Sequence, residues 1–96
     1  MDDDVLLILE ARDAAQTGRA RRLREAAGLA QTEVARSIGV TPSCVSRWEG
    51  GLRRPAGAPA VRWTRLLHEL ASYLARPSAS LQPEPPNRQR KEVNRN

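Results

Sequence analysis

Residues 31–49 read QTEVARSIGVTPSCVSRWE. The spacing predicts two short helices joined by a tight turn. Val34, Ala35 and Ile38, at i, i+1 and i+4, share one helical face. Gly39 ends that helix, because a left-handed terminal residue is unstrained only without a Cβ. Thr41 and Pro42 open the next: the hydroxyl caps free amides, and the ring's fixed φ suits a first turn. Val45 and Trp48, three apart, are predicted to face inward, with Ser43, Ser46 and Arg47 outward. The small Ala35 lets the second helix cross close to the first.

Moving toward the N-terminus, the pattern predicts a helix over about residues 19–27 with Ala20, Leu23 and Ala27 inward. Arg19, Arg21, Arg22 and Arg24 surround that face, Gly28 ends it, and Leu29 turns into the core. Ahead of Thr17 and Gly18 lies a further helix, about residues 4–15, preceded by acids that suit a helix N-terminus. Leu6 and Leu9, with alanines beside Asp13, are expected on its buried side, and Val5, Leu7 and Ile8 widen the apolar arc. Two packings stand for it: against the rest of the chain, or against a second subunit.

Toward the C-terminus, GGLRRPAGAP reads as a loop. Gly50 and Gly51 permit positive φ and bring amides near an anion, and Arg53 and Arg54 add charge beside them. Pro59 is expected to open a long helix to about Ala75, with Val61, Trp63, Leu66, Leu67, Leu70, Tyr73 and Leu74 forming a broad stripe. Part of that stripe should close over Val45 and Trp48, and the Leu70–Leu74 end has apolar surface to spare. His68 reads as a lone surface imidazole. From Pro77 onward, Pro, Ser, Gln, Asn and Arg dominate, and a disordered tail is expected over 77–96.

Ninety-six residues allow one small domain. With no Phe, two Trp and one Tyr, the core must rest on Leu, Val, Ile and Ala, and the helix formers favour an all-α chain. The net charge of +5 is unevenly placed: residues 1–16 carry −4 and residues 17–65 carry +7. Positive charge is therefore concentrated around the two-helix stretch, the footprint of a polyanion binder, though a basic surface also serves plain solubility. A single cysteine excludes an internal disulfide and a cysteine-cluster metal site, consistent with a reducing cytosol. The acidic start is wrong for a secretory signal, and no apolar run approaches membrane-spanning length.

The segment LREAAGLAQTEVARSIGVTPSCVSRWEGGLRRP resembles the Cro/C1-type (XRE-like) helix-turn-helix DNA-binding family. The marks are Gln31, Ala35, Gly39, Val45 and the run Ser46-Arg47-Trp48-Glu49, followed by Gly51 and Pro55; the likeness spans residues 17–75. It implies a compact, lambda-repressor-like domain of about five helices over 17–76, here with an added N-terminal helix over 1–16. It also implies a repressor that binds double-stranded DNA in the cytoplasm as a homodimer, encoded by a bacterium or phage.

On that reading the helix over 42–49 enters the major groove. Ser43, Ser46 and Arg47, with Pro42 at the edge, are the candidate base contacts. Arg47 has two open roles: bidentate to guanine N7 and O6, or bound to a phosphate. Gln31, Thr41, Cys44, Gly51, Arg53, Arg54 and Arg22 are the candidate backbone contacts. Gln31 and Thr41 stand at helix starts where donors converge on an anion, and the resemblance puts Gln31 on the DNA backbone. It also implies a structural pair between Arg24 and Glu49. Glutamines common in relatives at reading positions are absent, so no operator carries across.

An enzyme is disfavoured: no nucleophile is set beside a base, no phosphate loop appears, and there is one His. No cofactor or metal is expected. The competing reading is a protein-interaction adaptor or antitoxin-like autorepressor that uses the N-terminal and C-terminal helices as a partner surface.

Overall fold

The computed structural model describes residues 3–76, which form five α-helices and, among the described residues, no strand. They are α1 (Asp3–Thr17), α2 (Arg19–Ala26), α3 (Gln31–Ile38), α4 (Pro42–Glu49) and α5 (Gly57–Leu74). The expected disordered tail over 77–96 lies outside the described residues.

One core joins all five helices. Val34, Ala35 and Ile38 from α3 and Val45 and Trp48 from α4 are buried with Ala60, Trp63, Leu67 and Leu70 from α5. Trp48 and Trp63 meet at a centroid distance of 4.8 Å and 39° between planes, an offset contact that adds to their burial. Ala20 of α2 is also buried, with Leu23, Ala27 and Leu29 half-buried against the same cluster.

The turn between α3 and α4 is built by short-range chemistry. Gly39 sits at φ 76°, and its amide donates to Ala35 O at 2.9 Å. Thr41 Oγ1 accepts from the Cys44 amide at 3.1 Å, with Pro42 in the first turn. Arg62 of α5 donates Nε to Ile38 O at 2.9 Å, satisfying a terminal carbonyl that the helix itself leaves open.

α1 packs chiefly on α5, and its inward face holds the expected alanines beside Asp13 but not the expected Leu6 and Leu9. Ala11, Ala14 and Ala15 are buried, with Leu7 and Ile8 half-buried. Leu6 and Leu9 point outward, 49% and 47% exposed, beside Val5 at 42%. The reason is distance. Thr64 Oγ1 donates to Leu7 O at 2.6 Å, so the two helices approach almost backbone to backbone. Only a face of alanines permits that approach, while the bulkier leucines fall on the opposite sector.

Smaller corrections follow from the same packing. α5 begins at Gly57, two residues before Pro59. Tyr73 and Leu74 are 49% and 37% exposed, the spare apolar surface expected at that end, and the buried part of the stripe ends at Leu70. Gly50 has ordinary helical dihedrals, φ −83°, and Gly51 alone of that pair takes positive φ, at 75°. His68 is not solitary: Nε2 lies against Glu10 Oε2 of α1 at the surface.

Candidate nucleic-acid interface

α4 presents the outward surface. Its buried side chains, Val45 and Trp48, leave the opposite sector to Ser43, Ser46 and Arg47, all exposed, with Pro42 exposed at the start of the helix. Position and exposure together make a short polar ridge with one guanidinium. Thr41 is exposed as well. Its oxygen is used by the Cys44 amide, which leaves the hydroxyl proton for an anion. Cys44 is half-buried, packed against the core on the flank of the helix.

Behind the ridge lies a charged node that sets the angle of α4. Arg24 Nε donates to Glu49 Oε2 at 2.7 Å and Nη2 donates to Glu49 Oε1 at 3.0 Å. Arg24 Nη1 donates to Leu29 O at 2.8 Å, and Gln31 Nε2 donates to Glu49 Oε1 at 3.0 Å. The side chain of Glu49 is 3% exposed and that of Arg24 is 11% exposed. Three helices therefore converge on one carboxylate, and Arg24 ties the 27–30 turn to the same node. The hydrogen bond with Glu49 is the main cause that holds the Arg24 guanidinium pKa above its ordinary value; burial opposes it, and the charges of Glu49 and Glu25 reinforce it. Gln31, expected on the DNA backbone, has its amide nitrogen committed to this node.

The loop after α4 folds back on the helix end. The amides of Leu52 and Arg53 donate to Arg47 O at 2.9 and 3.3 Å. Gly51, Arg53 and Arg54 are exposed there, so the loop sets two guanidinium groups directly beyond the ridge. Arg22 stands apart: Nη1 donates to Thr17 O at 3.1 Å, at the junction of α1 and α2, and none of its hydrogen bonds reaches α4.

Three supporting residues were missed in the sequence. Arg12 of α1 donates Nε to the carbonyl of buried Pro55 at 2.8 Å, tying the added helix to the loop. Arg62 fastens the end of α3, as described above. Glu33 reaches back to the Ala30 amide at 2.8 Å, supplying a cap where the N-cap residue has no polar side chain. Arg12 and Pro55 are 43 residues apart, and no local spacing announces such a bond. Glu33 did carry a signal, since a Glu three residues into a helix is half of a capping box.

Three eight-residue helices flanked by two longer ones, with an exposed polar ridge on the helix that follows a glycine turn, define a helix-turn-helix module. A family model described as a helix-turn-helix domain matches residues 17–79, and the chain belongs to that family. The match agrees with the XRE-like resemblance carried by residues 17–75. Comparison with curated proteins and with solved structures gives no match. The module is a DNA-binding one, of the kind regulators carry. Among the described residues there is no group of His, Cys, Asp or Glu able to hold a metal ion, and no helix long and apolar enough to cross a membrane.

Proposed function

We propose that this chain is a sequence-specific, double-stranded-DNA-binding transcriptional repressor that reads the major groove with α4. The observation that carries the reading is the division of one eight-residue helix: Val45 and Trp48 sealed beneath, Ser43, Ser46 and Arg47 exposed above. Arg47 is assigned to a guanine edge and the serines to secondary base contacts. Thr41, Gly51, Arg53 and Arg54 are assigned to phosphates, which supply affinity and register. The Arg24–Glu49 pair serves as the brace that holds the ridge at its angle.

The regulator acts as a homodimer on a two-part site with half-site centres roughly 34 Å apart. The exposed Val5, Leu6 and Leu9 of α1 support a second surface for association. The same observation favours the alternative, an adaptor or antitoxin-like autorepressor whose α1 and α5 ends engage a protein. Selection of bound sequences from a random duplex pool separates the two. A recovered motif with two-fold symmetry supports the repressor; salt-dependent binding with no enriched sequence defeats it.

A further inference from the structure

We propose that the cleft between α1 and the loop after α4 is a binding site for a phosphate-bearing ligand, built from Arg12, Arg53 and Arg54 beside Trp48. The cleft has a volume of about 280 Å³, and Gln16 and Gly51 also line it. Among the described residues, no carboxylate lines it. Three arginines line one opening, and the like charges they bring there are offset by an anion seated among them. Arg12 is the fixed member: its Nε is held by Pro55 O at 2.8 Å, and among the described residues no hydrogen bond or ion pair engages its terminal nitrogens. The side chains of Arg53 and Arg54 likewise have no hydrogen-bond or ion-pair partner among the described residues. A guanidinium fork matches the oxygens of a phosphate and binds it bidentately.

The cleft is also joined to α4. Its loop wall is held by the amides of Leu52 and Arg53 on Arg47 O, and Trp48 of α4 is among its lining residues. An occupant therefore touches the loop that ends the ridge. Two sources supply the same chemistry: a phosphate of the DNA backbone, or a free phosphorylated compound acting on the regulator. The first rests on the DNA-binding reading above; the site itself does not.

The test uses the full chain and inorganic pyrophosphate, followed by tryptophan fluorescence, with sodium chloride at matched ionic strength as control. A saturable change is expected with pyrophosphate alone, weakened about tenfold or more in Arg12→Gln and in Arg54→Gln. Circular dichroism melts report whether each variant is folded, and Arg54, exposed and unbonded, supplies the comparison if Arg12→Gln is not. Duplex binding is measured in parallel against salt. Where Arg12→Gln loses duplex affinity and about one unit of salt slope, the site takes a backbone phosphate. Pyrophosphate binding with unchanged duplex affinity assigns it to a free compound. The proposal is overturned if pyrophosphate acts no differently from sodium chloride and Arg12→Gln leaves the salt slope unchanged. A wild-type chain that binds no duplex sinks the repressor reading, while the pyrophosphate arm still decides the cleft.

Discussion

Arg24 and Glu49 are joined by two hydrogen bonds of 2.7 and 3.0 Å, 25 residues apart in the chain and nearly sealed from solvent. Breaking a buried pair from one side strands the other charge. Glu49→Gln and Arg24→Met are each expected to lower unfolding free energy by about 3 kcal/mol in urea titrations, a large share of the stability of a chain this size. A loss no greater than that of a surface ion pair would show the node to be incidental. The raised Arg24 pKa fixes the sign of its pH dependence. Its stabilisation is complete below the ordinary arginine range and is lost only as pH climbs above it, so the pair gives no slope through neutrality.

Trp48 lies against Trp63 beneath the exposed ridge of α4. Trp48→Ala removes the largest apolar group of α4 and should cost about 3–5 kcal/mol. Near-ultraviolet circular dichroism should lose the contribution of the Trp48–Trp63 pair in the same variant, leaving that of Trp63 alone. A well-folded Trp48→Ala chain with unchanged melting would mean that α4 is held by Glu49 alone.

Arg47→Ala should cost about 1–3 kcal/mol at the selected site and relax base preference there. Arg53→Ala should weaken cognate and random duplexes alike and lower the salt slope by about one unit. Equal loss on both duplexes for Arg47→Ala would move that residue to the phosphate role.

Gly39, at φ 76°, has Arg62 Nη2 3.4 Å from where a Cβ would stand. Gly39→Ala should destabilise by about 1–2 kcal/mol through left-handed strain, and Thr41→Ala by about 1 kcal/mol through loss of the cap. Thermal melts read both. If the two cost nothing together, the turn is not what spaces α3 from α4.

Leu6→Ser with Leu9→Ser should convert a dimer to monomers in sedimentation equilibrium, with stability of the isolated chain shifted by no more than about 0.5 kcal/mol. Both residues lie outside the core, so a collapse of the fold in this variant would contradict their exposure.

Whatever depends on neighbours in the chain was readable from the residues. The glycine turn, the Thr41-Pro42 start and the inward Val45 and Trp48 follow from helical periodicity and capping, which act over four residues or fewer. The exposed ridge of Ser43, Ser46 and Arg47 followed from them, and the family resemblance pointed to the Arg24–Glu49 pair. The inward face of α1 was readable only in part: the alanines beside Asp13 were expected inward, but Leu6 and Leu9 occupy the sector opposite Ala11, Ala14 and Ala15 and are no less apolar. Only the close crossing with α5, which seats Ala11, Ala14 and Ala15 and turns Leu6 and Leu9 outward, chose between them. The Arg12–Pro55 bond and the Arg62 clasp on Ile38 were decided the same way. Long side chains find carbonyls wherever helix crossings bring them, and those crossings are properties of the packed core rather than of any one stretch.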